Sequence, residues 1–92
     1  MKHASLTQWR REIDKLDSEL LSLLAKRMEI VQKIGKLKQI SHVPALDKKR
    51  WRQILKAIDG EAEKLKLSKK FVHELFSIIH LQSVKIESSA KR

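Results

Sequence analysis

"LTQWRREIDKLDSELLSLLAKRMEIVQKIGKLK", residues 6 to 38, decides the fold. Its apolar residues Leu6, Trp9, Ile13, Leu16, Leu20 and Leu23, then Ile30, Ile34 and Leu37, recur at alternating steps of three and four. That spacing keeps side chains on one face of an α-helix. The position due after Leu23 holds Arg27, so one charge interrupts an apolar stripe. The run predicts a helix of about 33 residues, about 50 Å long at the α-helical rise. A globule built from a chain of this length is only about 30 to 35 Å across. The helix overshoots its own monomer. Its seam must meet another chain, and an antiparallel two-fold pairing of long helices is the economical solution.

Outward from that run, Ser41 and Pro44 break the helix. A second helix is expected from Asp47, with Trp51, Ile54, Leu55 and Ile58 on one face and Gly60 either ending or weakening it. A third is expected from Ser68 as N-cap, through Phe71, Val72, Leu75, Phe76, Ile79 and Val84, to about Glu87, with residues 88–92 a frayed tail. Two glycines and one proline speak against a loop-rich or all-β fold. The expectation is all-α: three helices per chain, one domain over residues 1–92, and an intertwined dimer that adds to the modest core of a short chain. Without cysteines there are no disulfides or thiolate metal sites. The first residues lack an apolar leader and no long uncharged apolar stretch occurs, so a soluble, cytoplasmic protein is expected.

The net charge of +10 favours an anionic partner. In "SHVPALDKKRW", residues 41 to 51, three cations follow Asp47; if Asp47 caps a helix, they crowd its already electropositive first turn. Arg27 and Lys38 are eleven residues apart, which returns them to within about 20° of one helical face, about 16 Å apart along the axis. Two long cations at those stations can hold a small dianion. Arg10 lies about 25 Å before Arg27, too far to join within one chain, but an antiparallel partner can supply its copy. Arg27 is equally explained by an interhelical ion pair with Glu29 or Glu12. Ser83 and Glu87, four residues apart, share a face of the third helix. His3, His42, His73 and His80 lack metal-ligand spacing and read as structural or solvated, so no metal or cofactor is expected. No glycine-rich phosphate loop or nucleophile elbow occurs, which leaves covalent catalysis without a candidate.

These residues together give the chain its family likeness. From about Leu6 to Glu87 it resembles the all-helical (AroQ-class) chorismate mutases, through the R-x-x-I-x-x-L-D opening, the Arg of A-K-R, the G-K-x-K end of the long helix, "SHVPALDKKR" and "LFSIIHLQSVKIE". The resemblance implies a domain-swapped homodimer with shared active sites that rearranges chorismate to prephenate on the route to phenylalanine and tyrosine. It assigns Arg27 and the partner subunit's Arg10 to the two substrate carboxylates, with Ser83 beside one of them. Lys38 goes to a carboxylate and the ether oxygen, Asp47 and Arg50 to the neighbourhood of the ring hydroxyl, and Glu87 to the place of a glutamine that usually donates to the ether oxygen.

Two positions depart from that family. Trp51 stands where many members carry a glutamate that accepts from the ring hydroxyl; indole has an N–H but no acceptor, and core packing explains Trp51 at least as well. An ionised Glu87 would oppose negative charge growing on the ether oxygen, so Glu87 must be protonated to help. Isochorismate pyruvate lyase and aminodeoxychorismate mutase remain rivals on the same fold, and a non-catalytic mutase-like subunit is a further one. A basic nucleic-acid-binding protein would explain the charge but not Arg27 on the seam. Its cations should form a concentrated stripe, whereas here they are spread over all three helices, so neither nucleic acid nor membrane is expected as a partner.

Overall fold

The computed structural model describes residues 5 to 90, so His3 lies outside the described residues. Three α-helices account for nearly all of them: α1 (Leu6–Ile40), α2 (Lys48–Lys64) and α3 (Lys69–Ser89). α1 has 35 residues, so the long helix read from the seam is present and extends two residues past Lys38. α2 passes through Gly60 to Lys64. α3 includes Ser88 and Ser89, with Ala90 as its C-cap. The all-helical expectation holds.

Each boundary has a local cause. Asp47 Oδ1 accepts from the Arg50 N–H at 2.9 Å, and Ser68 Oγ accepts from the Phe71 N–H at 3.2 Å, so both expected N-caps are real. α1 ends in a Schellman turn: the Val43 N–H bonds the Lys38 carbonyl at 2.8 Å and the His42 N–H bonds that of Gln39 at 3.3 Å. α2 ends the same way, with Leu67 on Ala62 at 2.9 Å and Lys66 on Glu63 at 3.2 Å. Both turns place a non-glycine residue, His42 or Lys66, at a φ of 59°. Pro44 follows the first turn and cannot continue the helix.

The chain divides into a unit of residues 1–30 and a unit of residues 31–92. In the first, no described residue is buried: Leu6, Trp9, Ile13, Leu16, Leu20, Leu21, Leu23 and Ile30 are each more than half exposed, and Leu24, Arg27 and Met28 are half-buried. The second unit packs α2 on α3, with Ala62 and Val72 among its buried residues. The α2 face expected from the sequence, Trp51, Ile54, Leu55 and Ile58, is the one turned inward, all four half-buried.

Within the second unit, the end of α1 follows a different rule from its seam. Ile34 and Leu37 remain 40% and 64% exposed, while Val31 and Gly35 are buried and Lys38 is half-buried. The spacing of i, i+4 and i+7 makes these three one stripe. A small residue lets another backbone approach there, and α3 does so. α3 in turn leaves Phe71, Leu75, Ile78 and Leu81 exposed at 42% to 68%. Two of these, Phe71 and Leu75, belong to the apolar run from which the third helix was expected.

Candidate active site

Lys38 lies in the last turn of α1, where the carbonyl end of the helix favours a cation. It anchors the following loop twice. Its carbonyl accepts from Val43, and its Nζ donates to the Ala45 carbonyl at 2.9 Å. The same Nζ lies 2.7 Å from Oε1 of Glu87 on α3, with the two side chains 19% and 12% exposed. This contact is a charge pair without hydrogen-bond alignment, so Oε1 keeps an unfilled acceptor position. An ammonium has three N–H groups, and the Ala45 carbonyl takes one of them. A partly desolvated cation and carboxylate, each with hydrogen-bonding capacity to spare, are equipped to hold a polar ligand.

Around the pair is a cavity of about 220 Å³, lined by Gly35, Lys38, Gln39, Val43, Ala45, Glu87 and Ser88. Small-molecule sites usually enclose about 300 to 1,000 Å³, so this pocket has the size of a partial site. A larger, mostly apolar groove of about 590 Å³ runs along α3 past Leu46, Ile78, Leu81 and Val84.

The other sequence-predicted residues divide by what they already touch. Asp47 and Arg50 are joined through the N-cap bond, and α2 therefore begins with Lys48, Lys49 and Arg50 in its first turn and no acid among them. Trp51 stacks on His80 of α3, with ring centroids 4.3 Å apart and planes 16° from parallel. Ser83 is buried, and its hydroxyl donates to the Ile79 carbonyl one turn back at 2.8 Å. While that bond persists, only the lone pairs of Ser83 face other groups, and donation to a carboxylate needs the hydroxyl to rotate. Arg10 is exposed on α1 and Arg27 is half-buried there.

Three participants were not singled out from the sequence. His80 was read as structural or solvated, yet it sits three residues before Ser83 and seven before Glu87, on their face of α3. That spacing is the signal that could have found it. The Ala45 carbonyl had no signal, because a backbone acceptor carries no residue identity. Gly35 stood inside the G-K-x-K motif without a role. Of the remaining histidines, His42 holds the Schellman position of α1, and His73 bonds Asp59 across α2 and α3 at 2.5 Å.

The chain is thus an all-helical protein of three helices whose small polar cavity sets the Lys38 ammonium against the Glu87 carboxylate. The family profile for chorismate mutase type II matches residues 9–88, and the chain belongs to that family. The resemblance read from the sequence therefore holds. Among curated proteins the chain is 38% identical over 71 residues to the T-protein of Haemophilus influenzae, covering 77% of this chain and 19% of that one. It is 38% identical over 80 residues to the bifunctional chorismate mutase/prephenate dehydratase of Buchnera aphidicola, covering 87% and 22%. The Escherichia coli K12 protein of the same description is 36% identical over 75 residues, covering 82% and 19%. The chain thus spans about a fifth of the length of these relatives.

Proposed function

We propose that the protein is a chorismate mutase, converting chorismate to prephenate in the synthesis of aromatic amino acids. The observation that carries this reading is the Lys38 ammonium, steered into a small polar cavity by the Ala45 carbonyl and Glu87, in a chain of the chorismate mutase type II family.

The chemistry asks little more than fixed charge. The Claisen rearrangement is unimolecular: a C–O bond breaks as a C–C bond forms, with no proton transfer and no nucleophile. The flexible dianion must be held in its compact shape, which anchoring both carboxylates achieves. Arg27 and Arg10 of the partner subunit are the proposed anchors, with Ser83 beside one carboxylate and Asp47, Arg50 and Trp51 toward the ring. As the C–O bond breaks, charge builds on the ether oxygen, and an ammonium already fixed in place stabilises it more in the transition state than in the substrate. Lys38 is the proposed donor. Glu87 assists only as the neutral acid, donating a hydrogen bond to the same oxygen. As the carboxylate it offers the ether oxygen no donor, and its 2.7 Å contact holds the Lys38 ammonium in the cavity.

The working unit is a homodimer. The first unit exposes an apolar seam without a buried residue, and in proteins most helical stability comes from packing such a face. The exposed face of α3 and its groove give a second copy somewhere to lie.

Purified protein incubated with chorismate is expected to deplete it and release prephenate, while Lys38→Ala does neither at a comparable rate. Salicylate plus pyruvate from isochorismate, with chorismate untouched, would replace the mutase reading with the lyase one.

A further inference from the structure

Gly35 is buried where α1 meets α3. A β-carbon built there would lie 2.7 Å from the Cα of Glu87, 3.0 Å from its carbonyl oxygen and 3.0 Å from the Cβ of Ala90. The closest of these atoms is backbone, which cannot swing aside as the end of a long side chain can. Gly60, the other glycine, has nothing within 4 Å of the same construction. Glycine is the poorest helix former after proline, so at Gly35 contact between helices, not helix formation, is what it serves. The residue it lets approach is Glu87, whose carboxylate meets Lys38, one turn further along the same stripe of α1.

We infer that Gly35 is a positioning residue, whose missing side chain lets α3 settle onto α1 so that Glu87 reaches the Lys38 ammonium. Gly35 need not touch substrate. It sets the separation of the two groups that do, and any side chain there lifts α3 and moves Glu87 off Lys38. Ala90, itself buried at the same crossing, keeps that contact tight from the other side. The inference rests on the mutase reading for its catalytic consequence and on geometry alone for the pairing.

The test combines a mutant cycle on turnover with a spectroscopic readout that needs no turnover. With the full chain and chorismate, Gly35→Ala is expected to lower kcat by about tenfold to a hundredfold, the scale of a small misplacement at a reacting centre, with KM within about threefold of the parent. In a Glu87→Ala background the same change is expected to cost less than about twofold, because the group being positioned is gone. Gly60→Ala serves as the control glycine and leaves kcat unchanged. Separately, the 15N resonance of the Lys38 ammonium is recorded without substrate. Gly35→Ala is expected to shift it as Glu87→Gln does. If Gly35→Ala does not fold, Ala90→Val wedges the same crossing from the end of α3 and is read in the same two ways. A folded wedge variant with the parental Lys38 resonance overturns the positioning role, as does an equal loss of kcat in both backgrounds. A parent chain inactive on chorismate overturns the mutase reading instead, and the Lys38 resonance still decides the role of Gly35.

Discussion

The two ends of α1 obey different physics. Between residues 5 and 30 the helix presents Trp9, Ile13, Leu16 and Leu20 at 55% to 59% exposure and buries nothing. From Val31 onward the same helix turns a stripe of small and polar residues, Val31, Gly35 and Lys38, toward α3 and builds a polar cavity. Apolar area left in water is a debt that only another surface can settle, at about 1.5 to 3 kcal/mol for each large side chain fully covered. A charge pair at a helix crossing is complete as soon as its own chain folds. From Val31 onward α1 therefore closes on its own chain, whereas its seam is left open to another surface.

The strongest blow to that division falls on the seam. Leu16→Glu together with Leu20→Glu puts two charges in place of two exposed leucines of the seam. Light scattering is expected to show monomers, circular dichroism a loss of helix from the N-terminal part of α1, and the chorismate assay no turnover. A variant that remains dimeric and active would show that the seam is not the interface. Next in size is Lys38→Ala, which leaves the seam intact. It is expected to lower kcat by on the order of 10²- to 10³-fold, the scale for removing one fixed donor from a developing oxyanion, with association unchanged.

Smaller again is the effect of replacing Glu87. Its carboxylate faces Lys38 and offers the ether oxygen no donor. Glu87→Gln puts a donor at the same place and is expected to raise kcat/KM by a few fold. A Glu87→Gln variant with the parental kcat/KM removes Glu87 from the mechanism. Because both partners of the pair lie in the second unit, neither variant should alter the oligomeric state.

What the sequence disclosed follows the same boundary. Periodicity is a property of apolar side chains, so the seam, the length of α1 and the inward face of α2 could be read directly. The caps at Asp47 and Ser68 were legible because a short polar side chain before a helix has one dominant use. The stripe at Val31, Gly35 and Lys38 was not. It holds one aliphatic residue, and apolar counting passes over a glycine and a lysine. Nor does the apolar run of α3 disclose that Phe71 and Leu75 stay exposed: in sequence an apolar residue looks the same whether or not its own chain covers it. The identity of Lys38 and Glu87 as candidates was legible, but their contact was not, since it depends on how closely two helices approach.

The smallest expected effect separates the stability of the second unit from everything the seam controls. Lys66 ends α2 at a φ of 59°, a conformation in which a β-carbon crowds the backbone and glycine is at ease. Its N–H already bonds Glu63 and that of Leu67 bonds Ala62, so the turn needs no side chain at this position. Lys66→Gly removes the crowding and also loosens the unfolded chain, and the two effects leave a gain of up to about 1 kcal/mol. For a domain of this size that is a rise in Tm of about 4 °C or somewhat more. Self-association and kcat should stay at parental values, because the turn's hydrogen bonds involve neither Lys38 nor Glu87 nor any seam residue. An unchanged or lower Tm would mean that the Lys66 side chain contributes an interaction worth as much as the strain it carries.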